Sequence, residues 1–173
     1  MKNFKENQNV YLNEGAKKDT DDVLLLKWDL PDEQTYYCKR NMSENRCIIE
    51  TSTNIEDIVL STENNLEETK KDTFIESMIQ HLEERLAKLE NKKHIVVQIH
   101  RRGDFYSIDY MIKWIYIAEN FKSNNKIVFE AYIKSLPIIT DYINEYCRNY
   151  GDDLKPQEII DDINISFKYD LSI

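Results

Sequence analysis

Few residues in this chain combine the types and spacings that chemistry needs. His94 and His100 stand six positions apart in HIVVQIH, and the two-residue period of a strand would put both side chains on one face. Such a pair could begin a zinc site, but no third His, Cys, Asp or Glu follows at ligand-like spacing. Both are therefore read as strand-end polar residues, and His81 as a solvated residue on the polar flank of a helix. Asp32, Glu50 and Gln98 could form a nuclease-like acidic set, yet no lysine lies two residues beyond an acid on a shared strand. No hydroxyl or thiol has an assignable base, and neither GxxxxGK nor GxGxxG occurs to hold phosphates. Arg102-Gly103-Asp104 reads as a turn between a strand and a helix. Lys92, Lys93, Arg101 and Arg102 make a basic patch that reads as a solvated rim. No catalytic residue, metal or cofactor is expected.

Composition narrows the classes further. A net charge of −9 and a pI near 4.9 disfavour nucleic acid and anionic membranes as partners. With 173 residues the chain suits one domain, and only 3 Gly and 3 Pro argue for helices joined by polar connectors. Cys38, Cys47 and Cys147 are odd in number and widely spaced, which fits a reducing compartment. The opening MKNFKENQNVYL is too polar for a signal peptide, and no apolar run suits a spanning helix. A soluble cytoplasmic or nuclear protein is expected.

The elements that must position these residues follow from periodicity. Residues 1–22 read as a mobile arm, and 23–173 as one domain. VLLLKWD at 23–29 and QTYYC at 34–38, joined by Pro31-Asp32, predict a β-hairpin. Residues 41–51 read as a short helix, and the acidic stretch 51–73 mostly as a loop. Thr73 and Glu76 predict a capped amphipathic helix over 74–90, whose Phe74, Met78, Leu82 and Leu89 must pack onto the domain or a second copy. Residues 94–100 predict a third strand, and Ser107 a helix with Ile108, Met111, Ile112, Ile115, Ala118 and Phe121 inside. Three short helices follow in 126–165, divided by Pro137, Gly151 and Pro156. The fold class is α+β, a small three-stranded sheet capped by short helices.

Certain words of the chain then resemble a known family. PDEQTYYCKRNMSENRCIIET at 31–51 is similar to the opening of the Skp family of SCF ubiquitin-ligase adaptors, which share the BTB/POZ fold with elongin C. IVVQIH with SIDYMIKWIYIAENF resembles the family's short strand and following helix. Phe129-Glu130-Ala131 with Pro137-Ile138-Ile139, and KPQEII ending in Ile163-Asn164-Ile165, resemble its later words. The resemblance implies a BTB/POZ-like domain with 54–93 as an acidic loop carrying an inserted helix. It also implies a cullin-like scaffold docking on Phe129, Tyr132, Ile133 and Lys134. An F-box-like or other helical receptor would dock on Tyr150, Pro156, Ile159, Ile160, Ile163, Ile165 and Phe167.

The reading at this stage is a non-enzymatic interaction adaptor of a ubiquitin-ligase complex, with protein partners and with helix 74–90 available to a homodimer. The first alternative is a viral or host-modulating helical protein that sequesters partner helices. A small hydrolase or nuclease ranks third.

Overall fold

Val23–Trp28 and His94–Ile99 are runs of aliphatic and β-branched residues, and they lie side by side as parallel strands. A computed structural model describes residues 13–14, 23–31, 55–89, 94–134, 136–151 and 155–169. Five strands form one sheet in chain order: β1 (Asn13–Glu14), β2 (Val23–Trp28), β3 (His94–Ile99), β4 (Ile127–Ile133) and β5 (Ser166–Tyr169). β1 pairs antiparallel with β2, while β2 through β5 are parallel. Helices α1 (Ile55–Thr69) and α2 (Phe74–Ala87) join β2 to β3, α3 (Ile108–Asn120) joins β3 to β4, and α4 (Leu136–Tyr150) with α5 (Pro156–Asp162) joins β4 to β5. The fold is mixed α/β.

This order has a consequence for the two faces of the sheet. Each crossover advances one strand in the same direction, and right-handed crossovers of that kind place every helix on one face. Burial agrees. Leu26, Val97 and Phe129 form one register row, Trp28, Ile99 and Ala131 the next, and all six are at most 1% exposed. They share a core with Phe74, Met78 and Leu82 of α2, Met111, Trp114 and Ile117 of α3, and Ile138 and Ile139 of α4. The other face carries Lys27, Gln98 and Glu130 in register, with Val128 at 47% exposure. Parallel sheets are ordinarily covered on both faces. Among the described residues, the helices share a core with one face of this sheet, while Leu25 on the other is 9% exposed.

Several expectations hold. Ser107 caps α3, its Oγ accepting the Tyr110 N–H at 3.2 Å. Pro156 opens α5, and Gly151 ends α4 at φ +114 with its N–H on the Cys147 carbonyl. α2 lies within the predicted 74–90 helix, although Thr73 makes no side-chain cap bond. Its Phe74, Met78 and Leu82 are spent on the chain's own core rather than on a second copy.

Others need correction. The sheet has five strands rather than three, and β2 pairs in parallel with β3. The hairpin partner at 34–38 and the helix at 41–51 lie outside the described residues. The arm 1–22 contributes β1, whose Asn13 and Glu14 pair with Lys27 and Leu26. Stretch 126–136 contains a strand, not a helix: burial alternates through Ile127, Phe129, Ala131 and Ile133, a two-residue period. Within 51–73, α1 replaces the loop; its buried positions include Thr62, Asn65 and Thr69, so an apolar-stripe criterion misses it. The tail after α5 adds β5 on the edge beyond β4.

Leu82→Ala removes a fully buried side chain from the α2 face of the core. Urea unfolding is expected to show a loss of about 2–5 kcal/mol, as for other large-to-small core changes. An unchanged midpoint would mean that α2 does not contribute to the core.

Candidate functional site

The loops that follow β2, β3 and β4 meet at the carboxyl edge of the sheet, and two aspartates bind them together. Asp29, just after β2, accepts the Arg102 N–H on Oδ1 at 2.9 Å. Nearby, Leu30 N–H donates to the Arg102 carbonyl at 3.2 Å and His100 N–H to the Trp28 carbonyl at 2.7 Å. Asp104 is 1% exposed; its Oδ1 accepts the Phe105 N–H at 2.8 Å and its Oδ2 the Lys134 N–H at 3.2 Å. One carboxylate therefore joins β2 to the β3 loop, and the other joins that loop to the end of β4. Gly103 lets them approach. At φ +71 an added Cβ would stand 2.8 Å from the Leu30 Cβ and carbonyl oxygen, so no side chain fits there.

Burial raises the Asp29 carboxyl above its usual range; the Arg102 N–H bond and the charges of Lys27, Arg102 and Lys134 act against that rise. The carboxylate thus sits in a partly desolvated place that cations make tolerable.

Beneath this edge lies a buried polar hub. The Tyr110 hydroxyl is 3.0 Å from Trp28 Nε1, 2.9 Å from Trp114 Nε1 and 2.9 Å from His100 Nε2. Rings pack around it, with Tyr106 stacked on Tyr110 at 4.7 Å and Phe105 edge-on to His100 at 4.5 Å. His100 itself has φ +61, a left-handed backbone seldom adopted by residues other than Gly, Asn or Asp. It is fully buried, and burial, helped by the charge of Lys134, pushes its ring down to about 3. The ring is neutral at ordinary pH.

The face opposite the helices continues the site away from the edge. Gln98 Nε2 donates to Tyr132 Oη at 3.3 Å and lies 3.5 Å from Glu130 Oε2. Lys168 Nζ is 3.9 Å from Glu130 Oε1, and the Arg101 guanidinium stands 5.8 Å from the Tyr132 ring centre. Lys27, Arg101, Arg102, Lys134 and Lys168 belong to this edge and face, as do Asp29, Asp104 and Glu130.

The residues singled out from sequence fall in four places. Phe129 and Ile133 are 1% and 2% exposed and lie on the helix side of the sheet. Tyr132 lies on the face opposite the helices and Lys134 at the carboxyl edge. Ile159 and Ile165 are buried, whereas Ile160, Ile163 and Phe167 are half-buried beside an open groove of about 550 Å³ near Val128. Pro156 and Tyr150 are exposed, Tyr150 at 71%, at the end of a row with Tyr146 and Tyr142. His94 and His100 occupy opposite ends of β3, roughly 20 Å apart by strand rise, and cannot share a ligand. His81 is half-buried rather than solvated, and burial lowers its pKa. Sequence reading missed Asp29 and the Trp28–Tyr110–Trp114 hub. The one available signal was the polar run HRRGD between a strand and a capped helix.

The buried imidazole sets a pH dependence. Its folded pKa lies below the ordinary 6.5, so the unfolded ring takes up a proton first as pH falls. The stability it contributes is complete above about 6.5 and is lost progressively toward about 3. Asp29, raised rather than lowered, acts with the opposite sign in the carboxylate range. Urea unfolding between about pH 7 and about pH 5 should show stability falling by up to about 1.4 kcal/mol per pH unit, a slope reduced in His100→Asn. An identical slope in that variant would show that His100 is not the responsible group.

Residues 3–150 match the family model described as Gene product 88. The matched span contains β2, β3 and β4 with Asp29, His100, Asp104 and Lys134, and it ends with α4. No curated protein and no solved structure matches the chain. With most of its 173 residues inside the matched span, the chain belongs to the Gene product 88 family.

Proposed function

We propose that this chain binds a small anionic molecule at the carboxyl edge of its parallel sheet and on the face opposite the helices. The observation that carries the reading is the one-sided helix packing of that sheet among the described residues. The described helices share a core with the Leu26–Trp28–Phe129 face, while Lys27, Gln98 and Glu130 stand in register on the other, beside the loops that follow three successive parallel strands. In open parallel sheets, ligands bind in the crevice outside the carboxyl ends of the strands. Charge selects the ligand class. Among the described residues, Lys27, Arg101, Arg102, Lys134 and Lys168 outnumber Asp29, Asp104 and Glu130 here, against a whole-chain charge of −9. The proposal is of a binding protein rather than an enzyme.

A second reading keeps the adaptor role, freed from a BTB/POZ frame. It is favoured by the tyrosine row on α4, with ring centres 6.1 and 4.6 Å apart and Tyr150 largely exposed. Tyrosines of this kind suit a protein interface. The helix that would have met a cullin-like scaffold is strand β4, so the BTB/POZ form of the adaptor has less support than a docking role for α4 alone.

One titration separates the two readings. Amide resonances of labelled protein are followed while malonate or inorganic phosphate is added. The ligand reading expects saturable shifts at Lys27, Arg101, Lys134 and Lys168, with Tyr142–Tyr150 unmoved. Shifts absent from the sheet edge with both anions would remove it.

A further inference from the structure

The hydrogen-bond count at Tyr110 leaves one atom unaccounted for. An indole Nε1 only donates, so Trp28 and Trp114 occupy both acceptor positions of the Tyr110 oxygen. Its single proton then goes to the remaining neighbour, His100 Nε2, 2.9 Å away. A neutral imidazole that accepts on Nε2 carries its proton on Nδ1. Among the described residues, that buried Nδ1–H has no hydrogen-bond partner. A buried donor left unpaired is costly, and native structures complete such groups with an ordered water, an ion or a ligand. The charge of Lys134 reaches this ring and also Asp29, so an acceptor here would meet a cation as well.

We propose that His100 Nδ1–H is a preset donor to one oxygen of a small oxyanion, a carboxylate or a phosphate, lodged at the carboxyl edge beside Lys134. The inference rests on the ligand reading above and names its recognising group. Tyr110 acts as a positioning residue: by donating to Nε2 it keeps the proton on Nδ1. The left-handed backbone at His100 serves the same end, because the ring reaches Tyr110 while its N–H holds the Trp28 carbonyl. Since Nδ1 is shut off from bulk water, an ion reaching it must shed part of its hydration, and the bond forms where the dielectric is low.

The test uses the full chain with ¹⁵N-labelled histidine and two probes, malonate and inorganic phosphate. Two-bond ¹H–¹⁵N spectra of the free protein should show His100 neutral with its proton on Nδ1. An Nε2–H tautomer or a charged ring near neutral pH overturns the proposal. Addition of the preferred anion should move the Nδ1–H resonance together with the Arg101 and Lys134 amides. Whichever probe does so identifies the carboxylate or phosphate source. Amide shifts without any change at Nδ1–H sink this inference and leave the ligand reading standing; no shifts at all remove both. Two substitutions give an independent readout. His100→Asn retains a donor near the Nδ1 position and tolerates positive φ, so binding should stay within about threefold. His100→Gln offers Tyr110 an acceptor but lacks that donor, and binding should weaken by about tenfold or more. Equal affinities in the two variants would overturn the assignment.

Discussion

The Tyr110 hydroxyl is the point on which this structure depends. It receives an indole from the last residue of β2 and another from the next turn of α3, and it contacts the first residue after β3. Three bonds converge on one buried oxygen, so removing any partner strands a polar atom where water cannot compensate. Rings of Phe74, Trp28 and Trp114 close around it at centroid separations of 5.5 to 5.9 Å, joining the hub to α2. Burial raises the phenol's pKa far above its ordinary range, while the two indole donors oppose the rise. The hydroxyl therefore keeps the proton that it needs in order to donate.

A second constraint follows from topology. Strands laid down in chain order by same-handed crossovers leave one face of the sheet without helices, whatever its side chains are. Toward the carboxyl ends this sequence answers with polar partners in register, Lys27 beside Gln98, Gln98 beside Glu130, and Tyr132 beside Lys168, whereas Leu25, Val96 and Val128 form an apolar row nearer the strand starts. Apolar residues in those rows would make an exposed patch prone to association. The polar face and the carboxyl-edge loops are thus two products of a single winding direction.

The sequence disclosed elements better than their assembly. β3, α2 and α3 are legible because each has one clean period and bounded ends, such as Ser107 before α3. β4 is ambiguous. Val128, Phe129, Tyr132 and Ile133 satisfy a helical period, while Ile127, Phe129, Ala131 and Ile133 satisfy a strand, and only tertiary burial decides between them. Parallel pairing of β2 was hidden by Pro31, whose turn chemistry suggests a hairpin. The carboxyl edge could not be read at all. Asp29 and Arg102 are 73 positions apart, Asp104 and Lys134 are 30 apart, and no spacing rule joins residues from separate loops.

α1 shows how the edge is held from the side. Its described buried positions are Thr62, Asn65, Leu66 and Thr69, only one of them a large apolar residue. Directional bonds hold this end: Asn65 Nδ2 donates to the Asp29 carbonyl at 2.9 Å, Lys113 Nζ donates to the Thr69 carbonyl at 2.7 Å, and the Tyr106 and Thr69 hydroxyls lie 2.8 Å apart. A small displacement of a helix seated in this way breaks several bonds at once. The bonds at its described end therefore act together, and breaking one weakens the others' hold on the edge. Release would free the Asp29 backbone while the core under β2 and β3 stayed packed, so the loop after β2 can loosen below the free energy of global unfolding.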